Sequence, residues 1–208
     1  DFVLLNSDVI MDLDLADLVR RHRARSSPGT VVLYRSPEAV SIGQAGVRDD
    51  RVVDFKNFLG TGVASGLVYT GAAVLSPAIF RYLEARFSSI VYTGYTGLIR
   101  NDRLDYVEHD GIWLDIGTVA SLRDASIRTA ETGMPRKVAA ACGIEFAPVD
   151  TDARIAAGSV VRNTIIGFGS TVGSGAEIVD SLLLPGSRVK AGARISEAVV
   201  LGDEVIRA

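Results

Sequence analysis

Along the last quarter of the chain, aliphatic residues return on a fixed beat. Ile155, Val161, Ile166, Val172, Ile178, Leu183, Val189, Ile195, Val200 and Ile206 are spaced 6, 5, 6, 6, 5, 6, 6, 5 and 6, a 17-residue period. Val149 and Ile144 continue the register backwards. Small turn formers stand between them, as in Ala157-Gly158-Ser159, Gly173-Ser174-Gly175 and Pro185-Gly186-Ser187. Short periodic units of this kind predict a solenoid, in which each coil buries its apolar row by stacking on the next. A small antiparallel sandwich would also be aliphatic and glycine-punctuated, but it has no reason to hold a 17-residue register. All ten positions are expected to point inward, with Arg154, Arg162, Arg188, Lys190 and Arg194 pointing outward.

The front of the chain follows a different rhythm. Strand-like runs at Phe2 to Leu5, Thr30 to Tyr34 and Leu67 to Leu75 alternate with helical patterns, which predicts α/β layering. Asp-Phe-Val-Leu-Leu reads as the middle of a buried strand, so sequence upstream of Asp1 is expected. Leu15, Leu18, Val19 and His22 share one face of a helix that Asp14 can cap. The bland account of His22 is a favourable dipole interaction at that helix's C-terminus. Ser76-Pro77 opens a second helix with Ile79, Phe80 and Leu83 facing inward, and Thr118 caps a third carrying Val119, Leu122, Ala125 and Ser126. Loops surround a short strand at Arg51 to Phe55.

Composition separates the two regions. Of 14 aromatic residues only Phe146 and Phe168 lie beyond Trp113, so the rear core must be built from small aliphatic side chains. The 208 residues are 48% hydrophobic and 23% charged, too apolar for a disordered chain. A net charge of −3 provides no footprint for nucleic acid or an anionic membrane surface, and both are excluded as principal partners. No apolar run approaches the roughly 18 residues of a membrane span. The lone Cys142 cannot form an intrachain disulfide, and the expected compartment is the reducing cytoplasm.

Two acids are candidates for chemistry. Asp8 lies just past the carboxyl end of an apolar strand, where open α/β sheets bind ligands. Asp115 sits in Gly111-Ile112-Trp113-Leu114-Asp115-Ile116-Gly117-Thr118 among apolar neighbours, a setting in which a buried carboxylate would need a partner. Two carboxylates from distant segments can hold Mg²⁺, which keeps its other positions for water and phosphate oxygens. A helix-capping or salt-bridge role remains open for each acid taken alone.

Asn6-Ser7-Asp8 resembles the N-G-D strand end of sugar-phosphate nucleotidylyltransferases. Tyr69-Thr70-Gly71-Ala72-Ala73-Val74-Leu75-Ser76-Pro77 resembles their N-T-G-x-x-V-L-x-P segment, and Trp113-Leu114-Asp115-Ile116-Gly117-Thr118 their W-x-D-I-G-T element, all in the family order. Some members carry a C-terminal left-handed β-helix of hexapeptide repeats, which the 17-residue coils resemble. The implied fold is part of a Rossmann-like α/β nucleotidyltransferase domain over residues 1–136, then a left-handed parallel β-helix over 137–208.

The resemblance implies an enzyme that joins a nucleoside triphosphate (NTP) and a sugar 1-phosphate into a nucleotide sugar and pyrophosphate, with mannose 1-phosphate and GTP as the leading pair. It implies Asp8 and Asp115 as Mg²⁺ ligands and the Thr70-Gly71 backbone facing the sugar, with Asn6 and Trp113 in the same substrate site. Two departures stand out. The Gly-rich loop G-x-G-T-R-L-x-P is absent from these residues and is expected upstream, so this stretch alone is not expected to catalyse. Val53-Asp54-Phe55-Lys56-Asn57-Phe58-Leu59 replaces F-x-E-K-P, leaving Lys56 either to reach the sugar phosphate or to be a solvated surface lysine. A hexapeptide acyltransferase is disfavoured, because such enzymes use a histidine base and no histidine follows Asp110. The alternative is a non-catalytic assembly subunit. The last coil, ending in mid-register, leaves an edge that predicts at least a dimer through the solenoid.

Overall fold

A computed structural model describes every residue except 102, 131, 133, 144 and 208, and the side chains of 134 and 135 are likewise left aside. Ile144, the earliest proposed register position, lies outside the described residues. The chain divides into two compact units, Asp1–Trp113 and Leu114–Ala208.

The first unit contains β1 (Phe2–Leu5), β2 (Val9–Met11), α1 (Leu15–Arg25), β3 (Gly29–Arg35), α2 (Ala39–Ile42), β4 (Ala45–Arg48), β5 (Arg51–Phe55), β6 (Leu67–Leu75), α3 (Thr96–Asn101) and β7 (Asp105–His109). Six strands form one sheet in the order β1-β6-β3-β7-β5-β4. Only β3 and β7 run parallel, with Thr30 opposite Asp105 and Tyr34 opposite His109. The other pairings are antiparallel, so this sheet is more mixed than a doubly wound one. Short returns such as that between β4 and β5 permit nothing else.

Side-chain alternation divides the core between the two faces of the sheet. Val31, Leu33, Ala73 and Leu75 pack with Ile79, Tyr95 and Leu98 on one side, while Val32, Ala72 and Val74 pack under Leu18 of α1 on the other. Asp14 caps α1 as expected, accepting the Asp17 N–H at 2.9 Å. Ser76 caps the turn Pro77–Tyr82, which is a 3₁₀ segment; Ile79 is buried, but Phe80 points outward and stacks on Phe2 at 5.6 Å. Among the described residues β1 pairs along one side only, with β6, and Phe2, Val3 and Leu5 are 36–50% exposed.

His22 is buried against the sheet, its Nδ1 2.9 Å from Thr30 Oγ1, so packing accounts for it better than the helix dipole does. Burial lowers its pKa, opposed by the charge of Asp105. The unfolded chain then binds a proton that the folded chain refuses. Stability should be fully present above about pH 6.5, the ordinary imidazole value, and fall as the pH drops below it toward the folded pKa. Urea unfolding between about pH 8 and pH 5 should show this slope in the natural protein and a flatter one in His22→Gln. Identical slopes would refute it.

In the second unit, β8 (Trp113–Asp115, whose last two residues belong here) leads to α4 (Val119–Ala130) and α5 (Met134–Ala141). Then come β9 (Arg154–Ile155), β10 (Val160–Arg162), β11 (Ile165–Ile166), β12 (Thr171–Val172), β13 (Glu177–Val179), β14 (Leu182–Leu183), β15 (Arg188–Val189), β16 (Arg194–Ser196), β17 (Ala198–Leu201) and β18 (Glu204–Arg207). Nine of these form three parallel ladders, β9-β12-β15, β10-β13-β16 and β11-β14-β17, consistent with a β-helix. Every pairing joins residues 17 apart, such as Val161 to Ile178 to Ile195. Val149 joins the same register by bridging to Ile166. Seven of the ten aliphatic positions are buried together, Val161 packs partly against them, and the five named cations are exposed.

Two positions break the expected pattern. Ile155 is 41% exposed, because β9 has a coil on one side only. Ile206 is not a coil position at all: the chain reverses after Leu201, and β18 pairs antiparallel with β17, placing Ile206 opposite Val199. That hairpin covers the edge of β17, one of the last-coil edges that had been expected to lie open. The outward column Ile165, Leu182 and Val199 is also aliphatic, and α4 packs across β11, β14 and β17 with Ala125 and Thr129 buried. Among the described residues no helix is long and apolar enough to cross a membrane.

Candidate functional site

β6 carries an irregularity where its register against β3 shifts between Val31 and Leu33, so that residues 70–72 face Val32 alone. Such bulges re-aim the backbone near sites. The Thr70 hydroxyl turns into the sheet and donates to the Val32 carbonyl at 2.9 Å. Gly71 adopts φ +87°, a conformation open to glycine, and a Cβ there would lie 2.8 Å from Asn6 Cβ. The Asn6 N–H donates to the Gly71 carbonyl at 2.8 Å. Trp113 donates its indole N–H to the Thr70 carbonyl at 3.1 Å. Asn6, Thr70, Gly71 and Trp113, drawn from three distant segments, are thus one assembly.

Its supports were not read from the sequence. The Trp113 ring packs on Tyr34 at 5.3 Å, and Tyr34 also packs on His109. Asp12 Oδ1 accepts the Ile112 N–H at 2.6 Å and lies 3.1 Å from His109 Nε2. Beneath the bulge, the Tyr69 and Tyr95 hydroxyls are hydrogen-bonded at 2.8 Å. Burial pushes the Tyr69 hydroxyl up to about 12 and that of Tyr95 up as well, so both remain neutral at physiological pH. The only local hint of this layer was the aromatic character of the strand ends.

The remaining candidates are Asp8, Asp115 and Lys56. Asp8 is exposed in the turn after β1, in the first unit. Asp115, in the second unit, is also exposed, so it is not the buried carboxylate among apolar residues that its neighbours suggested. Its Oδ1 accepts the Gly117 N–H at 2.9 Å, shaping the turn into α4, while Thr118 and Ser121 cap α4 reciprocally at 3.0 and 3.1 Å. Lys56 follows β5 with φ +54°, its stem lying along Gly43. Among the described residues no group of three His, Cys, Asp or Glu side chains could hold a metal ion. Asp8 and Asp115 each carry an exposed carboxylate, the kind of hard oxygen donor that Mg²⁺ takes.

Comparison with known proteins adds the family. A mannose-1-phosphate guanyltransferase of Gibberella zeae is 29% identical over 123 residues, covering 56% of this chain and 32% of that protein. A mannose-1-phosphate guanyltransferase beta-B of Xenopus laevis is 30% identical over 122 residues with the same coverage. The matched part is thus about a third of these relatives' length. A Bacillus anthracis protein described as a glucose-1-phosphate thymidylyltransferase, solved with sucrose, shares the fold at a TM-score of 0.50 and 21% identity, over 59% of this chain and 52% of that one. The GlmU-like C-terminal hexapeptide profile matches residues 139–208, and the nucleotidyl transferase profile matches residues 1–132. The chain therefore belongs to the nucleotidyl transferase family.

Proposed function

We propose that the intact protein transfers a nucleotidyl group from an NTP to a sugar 1-phosphate, with GTP and mannose 1-phosphate as the preferred pair. The observation that carries this reading is the assembly of Asn6, Thr70, Gly71 and Trp113 in a chain of this family. A phosphate oxygen of the sugar 1-phosphate attacks the α-phosphorus in line, and pyrophosphate leaves. No covalent enzyme intermediate is required, so the protein's work is positioning and charge neutralisation.

In this reading the Thr70-Gly71 backbone faces the sugar. The Trp113 indole, fixed on the Thr70 carbonyl, holds that backbone in place, and Lys56 neutralises the sugar phosphate. Asp8 and Asp115 would hold Mg²⁺, which when bound neutralises charge on the phosphates. No G-x-G-T-R-L-x-P loop occurs in these 208 residues, and in this reading they do not turn over by themselves. The coils form a left-handed β-helix and contribute to a contact between copies, in the cytoplasm.

A pyrophosphate-release assay of the intact protein against a panel of NTPs and sugar 1-phosphates tests the reading. GTP with mannose 1-phosphate should give a kcat/KM at least about tenfold above any other pair, the discrimination that roughly 1.4 kcal/mol provides. Turnover best with another pair would replace the substrates. No turnover with any pair would establish the assembly-subunit alternative.

A further inference from the structure

Asp54 is 1% exposed and lies at the penultimate position of β5, yet no cation meets it among the described residues. Its carboxylate instead gathers the following loop. Oδ1 accepts the Leu59 N–H at 3.0 Å, and Oδ2 accepts both the N–H of Thr61 at 3.1 Å and its hydroxyl at 2.9 Å. Burial alone would raise this carboxyl, but the donors from Leu59 and Thr61 outweigh it and hold the pKa below the usual carboxylate value.

The loop so closed is an improbable one for free backbone. Lys56 and Asn57 are consecutive non-glycine residues at φ +54°, a left-handed pair that persists only where surrounding structure enforces it. Asn57 adds a second clasp by accepting the Gly62 N–H at 2.9 Å. Aromatic contacts tie the loop down further. Phe58 packs on Tyr92 at 4.8 Å, in the π-helical turn Val91–Tyr95, and Phe55 packs on Tyr95 and on Tyr69 at 5.9 and 6.1 Å. Tyr69 immediately precedes Thr70 and Gly71. The segment bearing Lys56 is therefore anchored one residue from the backbone proposed to face the sugar.

From this we infer that Asp54 is a positioning residue for sugar 1-phosphate recognition: its three accepted hydrogen bonds hold the left-handed Lys56–Asn57 turn that presents the Lys56 ammonium to the phosphate. The inference rests on the proposed nucleotidyl transfer and names the residue that sets the conformation of its cation. A neutral amide cannot replace Asp54, because an Asn offers one oxygen where three donors converge, and its NH₂ would confront a donor.

The test is a kinetic comparison in the intact protein. Asp54→Asn should raise the KM for the sugar 1-phosphate about tenfold while leaving kcat and the KM for the NTP within about twofold, since it removes binding common to ground and transition states. Thr61→Val, which deletes only the hydroxyl donor, should show about a threefold rise, and Thr61→Ser should restore the natural value. If Asp54→Asn fails to fold, the Thr61 pair carries the test. Lys56→Met should raise the same KM about tenfold, and adding Asp54→Asn to it should have little further effect, as expected of two residues acting through one contact.

The two possible failures separate. An unchanged KM in Lys56→Met means that Lys56 does not meet the phosphate, which overturns the reading of the site and this inference with it. A raised KM in Lys56→Met with an unchanged one in Asp54→Asn overturns the inference alone. Faster amide hydrogen exchange at Leu59 and Thr61 in Asp54→Asn should accompany the kinetic effect. Natural exchange rates there would likewise refute the positioning role.

Discussion

Asp115→Asn in the intact protein should reduce turnover by about 10²–10³-fold or more, the loss typical when one charge-stabilising group is removed from a reacting centre. It should do so while leaving the fold intact. The side-chain oxygen that accepts the Gly117 N–H survives in Asn, and α4 is capped by Thr118 and Ser121 rather than by Asp115. The substitution therefore separates the two roles open to this acid. A structural acceptor tolerates an amide; a metal ligand that must bring negative charge does not. Pyrophosphate release together with a thermal melt decides between them. Natural turnover in this variant would leave Asp115 only its turn-forming role.

Gly71→Ala should destabilise the first unit by about 3 kcal/mol, from two additive sources. The backbone at φ +87° is one that an L side chain adopts at a cost of about 1–2 kcal/mol. The new methyl would also overlap Asn6, whose Cβ and Cγ lie 2.8 Å from it, and overpacking of this kind costs about 1–3 kcal/mol. Truncating Asn6 to Ala brings no relief, because its Cβ is itself one of the clashing atoms. Asn6→Gly in the Gly71→Ala background should recover the steric part and leave the dihedral part. Urea unfolding of the three variants reads both, and a Gly71→Ala protein within about 0.5 kcal/mol of the natural one would show that the bulge is not conformationally demanding.

Much of this protein was legible along the chain, because its signals are local. Asp14, Ser76 and Thr118 cap the segments they precede, since a cap needs only the N–H groups two or three residues ahead. The 17-residue beat specified the stacked coils residue by residue, because each position in a parallel ladder meets its own equivalent in the next coil. The order of the three short motifs pointed to the family that the comparison shows.

Tertiary structure decided what depends on partners distant in sequence. Periodicity marks Ile206 as a core residue, yet its side of the coil depends on a chain reversal after Leu201 that the beat does not encode. The column Ile165, Leu182 and Val199 is covered only because α4 crosses it. Apolar neighbours in sequence suggested burial for Asp115, but a carboxylate at a strand end follows the local path of the backbone, and that path turns it to solvent. Asp54, flanked by Val53 and Phe55 in β5, is buried without a cation because the donors it needs lie five and seven residues on and reach it only after the loop has closed. Hydrogen bonds within one turn and stacking at a fixed period can be read from sequence alone, whereas the face a side chain occupies is settled by whatever packs against it.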